Sequence, residues 1–150
     1  MVSFANREKT HALGKVTTPL TVTNYADQIE ARRGHRQADA VRSVILDDVI
    51  VDTGSTTLAL PADVIARLGL ELREEVAILT AAGPGTAGLY RDAALTLLGR
   101  DGTFDCLELP VGTRPLLGVV PLEALGLEPD LRNQRLRRLP REPGDTYFSV

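Results

Sequence analysis

The run Val41 to Val51, dense in valine and isoleucine, passes without a break into Asp52-Thr53-Gly54-Ser55. β-Branched side chains are stiff at χ1 and pack well on a pleated surface, while Asp, Gly and Ser in succession favour a turn. The chain must therefore carry a strand that ends in a tight loop here, which argues against an all-helical fold. Short β-patterned runs cut by turn residues recur along the chain. Lys15 to Thr23 alternates roughly and holds Pro19, which cannot donate to a ladder, so it reads as an exposed or edge strand. Asn24 to Asp39, polar and basic around Gly34, reads as a loop with room for a helical turn in Asp27 to Arg33.

Thr56 to Leu60 resumes as a short strand. Pro61 and Asp63 then open a helix, Ala62 to Leu68, which Gly69 closes. Val76 to Thr80 and Leu89 to Leu98 read as strands around the glycine-rich Ala81 to Gly88, expected to be a mobile hairpin tip. Arg100-Asp101-Gly102 reads as a tight turn, followed by a returning strand, Phe104 to Leu109. Pro115-Leu116-Leu117-Gly118 leads to a second short helix, Pro121 to Leu125, stopped by Gly126, and Asn133 to Leu139 forms a last strand.

Composition narrows the class of function. A chain of 150 residues, 43% of them hydrophobic, can bury a core without covalent staples. Its single cysteine, Cys106, makes neither an internal disulfide nor a cysteine-rich zinc site, which fits a reducing compartment. A net charge of −3 gives no general attraction to nucleic acid or anionic lipid, and 4% aromatic residues with no tryptophan leave no stacking platform for single strands. No apolar run reaches membrane-spanning length, and Met1 to Gly14 holds no signal-peptide core, so a cytoplasmic protein with no membrane partner is expected. The expected organisation is a flexible segment over residues 1–14, one domain over 15–139 and a C-terminal tail over 140–150.

Most titratable residues have plain structural readings. Asp47, Asp48 and Asp52 alternate faces on a strand and have no histidine beside them, so no metal site is expected. Cys106 lies far in sequence from both His11 and His35, which speaks against a Cys-His nucleophile. Arg132, Arg135, Arg137 and Arg138 form one basic cluster, read as a solvated strand face or a subunit contact. Asp52 itself reads either as a turn aspartate bonding the backbone two residues on or as a catalytic group.

The stretch Leu60-Pro61-Ala62-Asp63-Val64-Ile65-Ala66-Arg67-Leu68-Gly69-Leu70-Glu71 is echoed by Val120-Pro121-Leu122-Glu123-Ala124-Leu125-Gly126-Leu127-Glu128. Each copy follows strand residues and a glycine, Gly54 or Gly118, which suggests two related halves about a local pseudo-twofold.

Together, Val49-Ile50-Val51-Asp52-Thr53-Gly54-Ser55-Thr56, Leu116-Leu117-Gly118 before a short helix, and Asn133-Gln134-Arg135-Leu136 near the end resemble the retropepsin-like (retroviral-type) aspartic proteases, in particular small bacterial-type members. The resemblance spans about Gly14 to Leu139. It implies an all-β fold with one or two short helices and one half-site per chain. By the family's pattern Asp52 is catalytic, and Thr53, Gly54 and Ser55 support it. Leu116, Leu117 and Gly118 form a second loop behind it, and Gly83, Gly85 and Gly88 belong to a flap. No metal or cofactor is implied.

The chemistry needs a base to take a proton from water and an acid to polarise the amide carbonyl, and two carboxylates sharing one proton supply both. This chain has one Asp-Thr-Gly, so the second carboxylate must come from an identical chain across a twofold axis. The expected protein is thus a homodimeric aspartic endopeptidase acting on peptide or protein substrates, with a non-proteolytic dimerisation or peptide-binding module as the alternative.

Overall fold

The valine-rich run forms β2 (Ser43–Val51), which pairs antiparallel with β1 (Val16–Asn24). The computed structural model describes residues 15–140, so the flexible segment expected over 1–14, His11 and the tail beyond Pro140 lie outside the described residues. The chain continues through α1 (Tyr25–Arg32), a short 3₁₀ turn at Ala38–Ala40 before β2, then β3 (Leu58–Pro61), α2 (Ala62–Leu68), β4 (Glu71–Thr80), β5 (Gly83–Leu97) and β6 (Arg100–Leu109). It ends with β7 (Leu116–Leu117), α3 (Val119–Leu125), β8 (Leu127–Asp130) and β9 (Arg135–Arg138).

Seven strands form one sheet in the order β1-β2-β7-β3-β6-β5-β4, with β1 also pairing with β5, and β8 and β9 make a separate pair. Leu20, Val22, Val49, Leu58, Leu60, Leu95 and Leu117 are fully buried and meet in one core with Cys106 and Leu68. The fold class expected from the sequence needs correction. Among the described residues three α-helices are present where one or two were expected, and β4 ends the sheet with no further strand on its outer side, so the sheet as a whole is not a closed barrel.

The additional helix is α1, which extends through the segment that reads in sequence as a loop with room for a helical turn in Asp27 to Arg33. Asp27 is its only buried residue, so no apolar periodicity announces it. Its start is set instead by Asn24, whose side-chain oxygen accepts the Asp27 N–H at 3.0 Å. The Asn24 amide in turn donates to Leu68 O at 2.9 Å, tying α1 to the end of α2. Asp27 accepts from the Arg42 backbone N–H at 3.0 Å, from Arg42 Nε at 2.8 Å and from Arg42 Nη2 at 3.0 Å, with Arg36 at 3.3 Å. The helix is held by a capped end and a buried carboxylate rather than by an apolar stripe.

The Arg42 guanidinium holds the Asp27 carboxyl below the usual aspartate range. A carboxylate whose folded pKa is depressed stabilises the fold above its unfolded pKa, about 3.9, and that contribution is lost as pH falls below it toward the folded value. Asp27→Ala should cost about 2 to 3 kcal/mol at neutral pH, at or below the floor of the range for fully buried pairs because the half-exposed Arg42 side chain can turn to solvent. Urea unfolding at neutral pH and near pH 3 checks this: the gap between wild type and variant should narrow in acid.

Other boundaries moved for tertiary reasons. β1 is no edge strand: it pairs with β2 on one side and with β5 through Thr21 to Asn24 on the other. Pro19 is tolerated because it sits where the β1–β2 register shifts, between Thr18 and Leu20, at a bulge that asks for no ladder donor. The turn placed at Arg100-Asp101-Gly102 lies at Leu98-Gly99 instead, both at positive φ, so Leu97 faces Arg100 and Asp101-Gly102 belong to β6. The last strand is shorter than expected, and Asn133 and Gln134 make its turn from β8. The internal echo has a structural counterpart. β3 and β7 are antiparallel neighbours at Ala59 and Leu116, and each leads into a helix closed by a left-handed glycine, Gly69 at φ 62° and Gly126 at φ 65°.

Candidate functional site

Asp52 follows directly on the buried end of β2, where Val49, Ile50 and Val51 are all in the core. β7 runs parallel beside that end, Leu116 opposite Ile50 and Leu117 opposite Val51, and is also paired with β3 on its far side. Ile50 N–H donates to Pro115 O and Asp52 N–H to Leu117 O, both at 3.0 Å. The backbone that carries Asp52 is thus bonded to a segment distant in sequence before its side chain makes any contact.

The loop then folds over β7. Val119 N–H donates to Ser55 O at 2.8 Å and Val120 N–H to Thr56 O at 2.9 Å. Gly118 lies beneath this crossing. A Cβ there would meet Thr57 O at 2.5 Å, Ser55 O at 2.6 Å and Thr57 N at 2.6 Å, all backbone atoms, so no side chain fits. The Thr57 hydroxyl anchors the end of the loop to Asp105 O on β6 at 3.0 Å.

The carboxylate itself is oriented at both oxygens. Gly54 N–H donates to Asp52 Oδ1 at 2.9 Å, and the Ser55 hydroxyl donates to Oδ2 at 3.1 Å. The first is the bond to the backbone two residues on that any turn aspartate can make, so that reading of Asp52 holds alongside the catalytic one. Gly54 also keeps room for the group: a Cβ there would lie 3.2 Å from Oδ1. Each carboxylate oxygen accepts one bond and keeps a second acceptor site, on a half-buried residue. Thr53 next to it is exposed. Such a group can take a proton from water or share one with a second carboxylate.

Asp52 and Thr53 line a pocket of about 270 Å³ with Lys15, Ile50, Pro129 and Leu131. Pro129 and Leu131 carried no sequence signal, because their approach to Asp52 depends on how the β8–β9 hairpin docks. The glycines expected at a flap tip lie within β5: Gly83 pairs with Thr80, Gly85 with Ile78 and Gly88 with Glu75, so the turn shrinks to Ala81-Ala82. Of the three, Gly83 has positive φ, 113°. Gly88 serves packing, since a Cβ there would lie 2.9 Å from the Tyr90 ring.

The remaining candidates stay apart from this site. Asp48 pairs with Arg114, and Asp47 is exposed. Cys106 is buried in the core, where desolvation pushes its thiol far above the ordinary range and so disfavours the thiolate. His35 is exposed beyond the end of α1. In the basic cluster Arg137 is paired with Glu128. No group of three or more His, Cys, Asp or Glu side chains gathers to hold a metal ion among the described residues. Nor is any helix among them long and apolar enough to cross a membrane. No protein-family model matches the chain, and no curated protein does.

Proposed function

We propose that this chain is one half of a homodimeric aspartic endopeptidase of the retropepsin-like kind, with Asp52 and its twofold mate as the catalytic pair. The observation that carries this reading is the union of two distant motifs into one platform. Leu116-Leu117-Gly118 bonds the backbone of Asp52 from behind, and Gly54 and Ser55 hold both oxygens of its carboxylate from the front. A turn aspartate with only a structural task needs the Gly54 bond; it does not need the second oxygen held, or a backbone crossing so close that Gly118 admits no Cβ.

In this mechanism one carboxylate takes a proton from water, the other donates a proton to the amide oxygen, and the water oxygen attacks the carbonyl carbon to give a gem-diol. Its collapse breaks the C–N bond as the protonated carboxyl gives its proton to the leaving nitrogen and the other carboxylate takes one from a gem-diol hydroxyl, restoring the shared proton. The bonds from Gly54 and Ser55 keep the two groups from rotating out of plane. The β4–β5 hairpin, uncharged from Val76 to Ala87, is the candidate flap that closes over a peptide. A lone buried cysteine accords with a cytoplasmic setting.

The test is a digest of a mixture of unstructured peptides, read by mass spectrometry at a series of enzyme concentrations. Internal cleavage should appear, and the rate per chain should fall steeply once dilution separates the copies. Cleavage linear in enzyme down to concentrations where the chain is monomeric would remove the shared pair, and no cleavage at any concentration would leave the peptide-binding module as the better reading.

A further inference from the structure

Helix α1 and the β5–β6 pair enclose a second pocket, of about 300 Å³, which shares no lining residue with the pocket at Asp52. On the helix side it is lined by Tyr25, Gln28 and Arg32, whose spacing of three and then four residues places three polar side chains on one face of α1. On the sheet side Ala94 stands opposite Thr103, and Thr96 opposite Asp101. These four share the outer face of the sheet, because the residues between them turn to the core. Leu95 is fully buried there, and a Cβ on Gly102 would meet Phe104 and Leu125. Ala94, buried in the floor, adds only a methyl group and leaves the hollow open.

The polar groups of this pocket are idle. Elsewhere Arg73, Arg114 and Arg137 each reach a carboxylate, on Asp105, Asp48 and Glu128. Arg32 and Asp101 carry opposite charges on one pocket, yet they form no ion pair with each other or with any other described residue. Nor does any hydrogen bond among the described residues take up the side chains of Tyr25, Gln28, Thr96 or Thr103. The set comprises a cationic fork, an anionic acceptor, an amide and three hydroxyls. A ligand that displaces water from such groups must replace the bonds that the water made.

Charge and size select that ligand. The lining holds one cation and one anion, so a phosphate gains at Arg32 what it loses at Asp101, and a polyamine the reverse. A molecule that carries both charges gains at both. The volume lies at the lower end of the range for small-molecule sites, about 300 to 1,000 Å³, and the polar lining offers little to a large apolar group. We propose that this pocket binds a free polar α-amino acid, with its carboxylate on the Arg32 guanidinium, its ammonium on Asp101 and its side chain among Gln28 and the hydroxyls. The site is independent of the proposed peptidase, since none of its residues lines the pocket at Asp52.

Titration of the isotope-labelled full chain with L-glutamine, followed by two-dimensional amide NMR, tests this. N-acetyl-L-glutamine and L-glutamine amide serve as analogues that lack the cation and the anion respectively. L-Glutamine should give saturable shifts confined to residues 25–32, 94–96 and 101–103, with a Kd of about 0.1 to 1 mM at low salt. Each analogue should bind about tenfold more weakly. Arg32→Gln should bind L-glutamine and L-glutamine amide alike, and Asp101→Asn should bind L-glutamine and N-acetyl-L-glutamine alike. Both residues are exposed, so far-UV circular dichroism of the variants should match wild type. Shifts that do not saturate or that centre on the Asp52 loop, equal binding of the three compounds to wild type, or discrimination that survives in both variants would each overturn the assignment. If a variant unfolds, the three compounds on the wild-type chain still decide it.

Discussion

Asp52→Asn should reduce peptide hydrolysis by roughly 10³-fold or more while the protein stays folded and dimeric. The amide keeps the size of the carboxylate, and its oxygen can still accept the Gly54 N–H, so the loop has little reason to move. What it loses is the ability to accept or share a proton, which both halves of the proposed mechanism require. A mixture of equal amounts of wild-type and variant chains sharpens the test. After exchange about one quarter of the dimers carry two aspartates, so activity should fall to about a quarter, whereas independent sites would retain half. Equal rates for the variant and wild type on any peptide that the wild type cleaves would sink the assignment.

Gly118→Ala should be the most damaging single-methyl change near the site, costing about 3 kcal/mol or more and lowering activity even in the fraction that folds. The new Cβ would lie within 2.6 Å of three backbone atoms from Ser55 and Thr57. These atoms cannot swing aside as a flexible side chain can. Relief requires the loop to lift, which breaks the Val119 and Val120 bonds and shifts the backbone that aims Asp52. The contrast is Gly85→Ala, where the nearest atom is an Ile78 side-chain carbon at 3.9 Å; that change should be within about 0.5 kcal/mol of wild type. Urea unfolding curves for the two variants check the pair, and similar midpoints would mean that the crossing is looser than its geometry implies.

The candidate site was legible where its signal is local. β-Branched residues before Asp52-Thr53-Gly54-Ser55 require a strand and then a turn in almost any surroundings, and the bonds from Gly54 and Ser55 to Asp52 span three residues or fewer. Gly69 and Gly126 end their helices by the same local physics, since only a residue without Cβ takes the left-handed cap at no steric cost. That Leu116-Leu117-Gly118 belongs behind Asp52 was suggested by resemblance alone, because nothing in an apolar pair followed by glycine states which strand it will join.

Tertiary structure decided everything that depends on partners far along the chain. The sequence shows α1 as no more than a helical turn in Asp27 to Arg33 within a loop because its face carries no apolar stripe; its stability comes from Asn24 and from Arg42, which the β1–β2 pairing holds beside Asp27. The glycine-rich segment became strand because β4 supplies its ladder out to Thr80, so the bonds of a long neighbour outweigh the poor β propensity of glycine. Leu131 is an ordinary turn leucine in the sequence and a neighbour of Asp52 in the folded chain, brought there by the docking of β9 through Leu136. The sequence by itself determined the strand, the loop and the aspartate, since those follow from the dihedral preferences of adjacent residues. The shape of the surface around that aspartate arises from long-range packing that no window of sequence contains.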